Sequence, residues 1–261
     1  MKRTIYLISL VVITLFFTSC FDNFICIRGD GYIETERRRI AEFDQIENST
    51  EFDIIYTKND TSGISIDADR NIIDNIVTET SGSALEIKTI PRHACFNYTR
   101  RPVIEVSSPD LKNVTVSGSG NLLADIMEGN VVSVKLSGSG DIKANLISAN
   151  DLSVLLSGSG SITLEDIGCI NTDAFISGSG NIQLGGECDR NELKISGSGN
   201  IHADNYISRT ASVMISGSGN VFAQILESLT GIISGSGNIY VTGNPEIDVT
   251  ISGSGRVIRT N

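Results

Sequence analysis

The stretch "KLSGSGDIKA", residues 135–144, decides the fold. Alone, Ser-Gly-Ser-Gly has the composition of a flexible linker. This chain repeats it at Ser117, Ser137, Ser157, Ser177, Ser196, Ser216, Ser234 and Ser252, every 18 to 20 residues. Self-similarity at a fixed period near twenty marks a solenoid. Just before the copies stand Val116, Leu136, Leu156, Ile176, Ile195, Ile215, Ile233 and Ile251. Two places after them come Leu122, Ile142, Ile162, Ile182, Ile201, Val221, Ile239 and Val257. Polar residues alternate with these, the period-two pattern of strands with one buried face.

The same parity runs through the motif, turning its glycines inward and its serines outward. A glycine has no side chain to collide inside a narrow corner. Each copy therefore predicts a strand corner, one per coil, with coils stacked at about 4.8 Å. The expected fold is all-β, a right-handed parallel β-helix over 114–261, since right-handed crossovers are strongly favoured. Residues 36–113 lack the motif but alternate like strands in "EFDIIYT" (51–57), "GISIDA" (63–68), "ALEIKTI" (84–90) and "PVIEVSS" (102–108). They predict a β-rich segment that begins or caps the solenoid, with a short helix or loop in 69–80.

The N-terminus reads as an export signal. Lys2 and Arg3 precede a mostly apolar run from Ile5 to Phe17, and "FTSC" closes it before Cys20. The run is too short for a membrane-spanning helix. Cys20 resembles the lipidated cysteine of a bacterial lipobox, although Phe17 stands where Leu is usual; an ordinary cleaved signal is the alternative. The expectation is a signal over 1–19, an anchor and tether over 20–35, and a lipid-anchored protein of the cell envelope, at the outer membrane. Without Lys2 and Arg3 the formal charge moves from −11 to −13, which repels phosphate backbones and argues against nucleic acid.

Cys169 and Cys188 each lie eight residues before a motif, so they share a column in adjacent coils. An exported chain favours a disulfide there; two stacked free thiols are the alternative. Cys26 and Cys95 remain as a second candidate pair by elimination.

"RRIAEFDQIENSTEFDIIYTKND" (38–60), "ISIDADRNIIDNIVTETSGSALEIK" (64–88) and "PDLKNVTVSGSGNL" (109–122) together resemble the family called "putative auto-transporter adhesin, head GIN domain". The resemblance runs over roughly residues 36–255. It implies a β-helical exported protein and carries across no catalytic residues.

A β-helix can also be a polysaccharide-active enzyme, which needs carboxylates converging in one groove. The column five places after the motif holds Asp125, Glu165 and Asp204, two coils apart, too sparse for such work or for calcium. The two histidines, His93 and His202, are far apart in sequence, so neither zinc nor a Ser-His-Asp site is supported. No cofactor or metal is expected. Arg28-Gly29-Asp30 could mimic an integrin ligand, but such a tripeptide is common by chance.

The exposed column three places after the motif turns apolar and aromatic at His202, Phe222, Tyr240 and Ile258. Across the serines lie Leu155, Phe175, Met214 and Ile232. Such a bordered strip suits a sugar face or a partner subunit. The bland alternative is that the cap or the last coil covers it. The function expected is non-enzymatic: an adhesin binding glycan or a host or envelope protein through a rigid face. An envelope scaffold or homo-oligomeric subunit is the alternative, and an enzyme the third.

Overall fold

The computed structural model describes residues 26–92 and 94–260; the expected signal, Cys20 and His93 lie outside them. The N-terminal part comprises β1 (Cys26–Arg28), β2 (Ile33–Arg38), β3 (Gln45–Asn48), β4 (Asp53–Lys58), β5 (Gly63–Asp69), α1 (Arg70–Ile73), β6 (Ile76–Ser81), β7 (Ala84–Thr89), β8 (Cys95–Asn97) and β9 (Val103–Ser108). All four strands expected in this part form, and the 69–80 stretch holds one short helix followed by β6. The solenoid follows as β10 (Asn113–Val116), β11 (Leu122–Leu136), β12 (Ile142–Leu156), β13 (Ser161–Ile176), β14 (Asn181–Ile195), β15 (Ile201–Ile215), β16 (Val221–Ile233), β17 (Ile239–Thr242), β18 (Glu246–Ile251) and β19 (Val257–Thr260).

It is a parallel β-solenoid of about 7 turns. The register links like with like: Leu136 faces Leu156, which faces Ile176, which faces Ile195. Within β11 the buried residues are Leu122 and Ala124, then Met127, then Val132, Val134 and Leu136. The parity breaks between these groups are where the coil bends. In a rod this narrow every inward side chain meets those of the coils before and after it. Each Ile, Leu or Val so buried contributes about 1.5–3 kcal/mol relative to exposure.

The N-terminal segment grows out of the same stack. β3 pairs in parallel with β10, and β4 with β11, so Asn48–Asp53 forms a corner directly before the first SGSG corner. On the far side β3 pairs in parallel with β7, and β4 with β9. Antiparallel pairings of β5 with β2 and β9, and of β6 with β7, close that end.

Candidate functional site

The face built by the corners is set by what each residue type can do there. In the motif the serines are exposed and the glycines mostly buried or half-buried, as the alternation requires. The reason for the glycines differs from the one expected. A Cβ at Gly138 would lie 1.7 Å from the Gly118 carbonyl oxygen, and one at Gly178 2.0 Å from the Gly158 oxygen. The collision is with the backbone of the preceding coil, along the rod axis, rather than with the interior of the corner.

The residue after most of the motifs builds a second ladder, interrupted at Ser161. Asn200 Oδ1 accepts from the Asn220 backbone N–H at 2.9 Å, and Asn220 Oδ1 accepts from Asn238 N–H at 3.0 Å. Asp53, Asn121 and Asp141 do the same at the start of the rod, at 3.0, 3.0 and 2.8 Å. These oxygens satisfy donors that the bend takes out of the regular pairing. The recurring Asn in the sequence signalled this role, which becomes visible only once the coils are in register.

Beside the corner, His202, Phe222, Tyr240 and Ile258 are register neighbours. The three rings stack: His202 and Phe222 have centroids 4.8 Å apart at 5°, Phe222 and Tyr240 4.7 Å apart at 7°. The rings thus form one continuous stack along the rod, at the spacing of the coils. Across the serines, Met214 and Ile232 are adjacent and 47% and 46% exposed. Phe175 lies in the same column, separated from Met214 by Lys194. Phe175, His202, Phe222, Tyr240 and Ile258 are half-buried, and Ile258 of the last coil stands beside Tyr240.

The remaining candidates fall elsewhere. The disulfide joins Cys26 and Cys95, whose Cα atoms are 4.3 Å apart. Cys169 and Cys188 share a column as expected, but as two free thiols, which corrects the expected bond between them. In-register parallel strands point their side chains the same way, so Cβ atoms sit about 4.8 Å apart. A disulfide spans about 3.5–4.5 Å between Cβ atoms. The β1–β8 ladder is a separate two-stranded pair with no further strand to hold it open.

Hydrogen bonding with the Cys188 thiol, opposed by burial and aided by Thr172 and Tyr206, lowers the Cys169 pKa to about 6. The same bond, with burial, pushes Cys188 up. In the Arg28-Gly29-Asp30 tripeptide, Asp30 pairs with Arg70 at 3.1 Å and accepts from Tyr32 N–H, so its carboxylate is engaged within the cap. Among the described residues no three His, Cys, Asp or Glu side chains are grouped to hold a metal ion. A groove of about 450 Å³, absent from the sequence reading, crosses the coils over Leu152, Thr172, Asn191 and Ala211. No helix among the described residues is long and apolar enough to cross a membrane.

A capped parallel solenoid with one aromatic corner defines a rod that presents a repeating surface. The chain belongs to the family described as "Putative auto-transporter adhesin, head GIN domain", whose model matches residues 42–245. The family indicates an exported surface protein. No curated protein matches the chain. Among solved structures, a "putative lipid binding protein" from Parabacteroides distasonis is 29% identical, with a TM-score of 0.85 over 90% of this chain and 100% of that one. A "putative adhesin" from Parabacteroides merdae is 22% identical, TM-score 0.83, covering 91% and 100%. Another from Bacteroides fragilis is 20% identical, TM-score 0.71, covering 90% and 100%. These last two share the fold.

Proposed function

We propose that this protein is an envelope adhesin, tethered through a lipidated Cys20, that binds a glycan chain along its corner face without catalysing a reaction. The observation that carries the reading is the His202–Phe222–Tyr240 stack, three half-buried rings in parallel at strand spacing beside the exposed serines. The C–H groups of a pyranose pack against the solvent-facing side of this stack, and the adjacent exposed serines supply hydroxyls for its oxygens. A sugar unit is about as long as the coil spacing, so a chain lying along the rod meets one ring per unit, and weak contacts add by multivalency. The adhesin family supports the class of function.

The test is a glycan array probed with the full-length protein and with a Phe222→Ser, Tyr240→Ser double variant. Binding to a polymeric glycan that falls at least tenfold in the variant is expected. No glycan binding, or binding that the variant retains, overturns the reading. The P. distasonis protein is called a lipid binding protein, so phospholipid vesicles form a second arm. Binding there through the same rings, with none on the array, would replace glycan by lipid.

The exposed Met214 and Ile232 favour a second reading, self-association through that flank. Light scattering would show a dimer that Met214→Ser dissolves; a monomer throughout sinks it.

A further inference from the structure

One region of the interior departs from the apolar rule. The inward column reads Val132, Leu152, Thr172, Asn191, Ala211 and Leu229 along successive coils. Thr172 and Asn191 are 2% and 3% exposed. Three residues before them, and register partners of each other, stand Cys169 and Cys188. The Cys169 sulfur lies 3.0 Å from the Thr172 hydroxyl and 3.1 Å from the Tyr206 hydroxyl, which are themselves 2.6 Å apart. Both polar atoms of the buried Asn191 amide lack any partner. Hydroxyls, an orphan amide and two thiols thus gather at one level of a rod filled elsewhere with Ile, Leu and Val. As a purely structural core this arrangement is costly.

We propose that Cys169 and Cys188 form a two-thiolate site for a soft monovalent metal ion, copper(I). Parallel register sets the two thiols side by side on neighbouring coils, on the same face of the strands. Thiolates are the soft ligands that copper(I) prefers, and two adjacent ones can hold such an ion between them. Zinc is disfavoured, because it requires four ligands and the neighbours here are hydroxyls and an amide. Binding releases both thiol protons to solvent and leaves an S–Cu–S unit with one net negative charge. The Thr172 and Tyr206 hydroxyls share a 2.6 Å hydrogen bond, so one of them donates to the other and that other donates to the charge, while the N–H₂ of Asn191, on the register partner of Thr172, has no partner of its own. Such outer hydrogen bonds tune thiolate sites.

Access is present. Cys169 is half-exposed, and its neighbour Gly168 is exposed with no atom within 4 Å of where a Cβ would stand. Register shifts between Leu164 and Ile167 and between Gln183 and Gly185 mark this bend as irregular. Bulges of this kind concentrate beside functional sites.

The experiment is an anaerobic competition for copper(I) against a colorimetric chelator, using the Cys20→Ser protein with Cys26–Cys95 intact, so that Cys169 and Cys188 are the thiols counted. Expected are two titratable thiols, uptake of one copper(I) per chain, and loss of both thiols to a thiol reagent once the ion is bound. Cys169→Ser and Cys188→Ser should each abolish uptake, and Asn191→Leu should weaken it about tenfold. Circular dichroism of each variant separates lost binding from lost fold, and silver(I) repeats the titration with a redox-inert ion. Absence of free thiols, meaning a disulfide, overturns the proposal. So does failure to take copper(I) from the chelator, or equal uptake by the folded double serine variant.

Discussion

Two kinds of corner occupy equivalent places in this rod. In the corner at Asn48–Asp53, Thr50 and Phe52 stand where the next corner has Gly118 and Gly120. The side that each Cβ faces explains the difference. A Cβ at Gly118 would meet the Thr50 carbonyl oxygen at 1.9 Å, and one at Gly120 the Phe52 oxygen at 2.0 Å. Each coil thus lays its backbone where the next coil's side chains would go. The first corner has no coil behind it, only the connection carrying Phe96, which meets Phe52 edge-on with centroids 5.2 Å apart. Glycine is therefore demanded by stacking, whereas the bend itself accepts Thr and Phe.

The largest effect should come from breaking that distinction. Gly138→Ala puts a methyl group 1.7 Å from a backbone oxygen that cannot rotate away, so the coils must part. A loss on the order of 4 kcal/mol or more is expected in chemical denaturation, among the largest for one residue. Thr50→Gly, the reverse change at the first corner, should cost less, about 2–3 kcal/mol, from the lost Thr50–Asn48 hydrogen bond at 2.7 Å and the lost bond from the Phe52 N–H that Thr50 Oγ1 accepts at 3.1 Å. Equal tolerance at both corners would refute the stacking account.

Phe52 sharpens the same contrast. Its ring is fully buried against Phe96, so Phe52→Ala should cost about 3–5 kcal/mol through lost burial and a cavity. The next corner tolerates no side chain at the equivalent place, while this one needs a large one. A thermal melt unchanged by the substitution would show that the end of the rod is closed by something else.

Much of this architecture is legible in the chain, and the rest is hidden for identifiable reasons. The phase of Ile and Val around each motif places every coil, because strand parity is a local property. The corner at "NSTEFD" escapes a motif search since, lacking a coil behind it, it needs no glycine. The asparagine ladder is only half visible: the residue recurs, but its partner is a backbone N–H one coil away. For Cys169 and Cys188 the equal spacing reveals the shared column, yet the bond depends on Cβ separation, which spacing alone does not supply. The Cys26–Cys95 bond joins residues with a sequence separation of 69, beyond any repeat logic. The ring column was readable in the sequence, whereas the near-parallel stacking of its rings required coordinates.

Donors at the two ends of the rod are satisfied by different chemistry. In the later corners the acceptors are neutral: Asn220→Ala removes the Oδ1 that takes Asn238 N–H at 3.0 Å and should cost about 1–2 kcal/mol. In the cap the acceptor is a charge. Asp69 is fully buried and takes the N–H groups of Gly31 and Thr99 at 2.9 and 2.8 Å. Burial alone would raise its carboxyl, but those donors outweigh it and hold the pKa below the ordinary 3.8. The folded form therefore binds this proton less readily than the unfolded chain does. Its contribution is complete above the ordinary value and disappears as pH falls through the lowered one. Acid should loosen the cap while the neutral ladder of the C-terminal coils stays closed. Hydrogen exchange is the measurement: below about pH 4, Gly31 and Thr99 should lose protection before Asn220 and Asn238. In Asp69→Asn the cap amides should exchange faster at neutral pH and lose that acid dependence. Simultaneous loss at both ends would mean that the cap and the coils unfold as one unit, and that the charged acceptor sets no separate threshold.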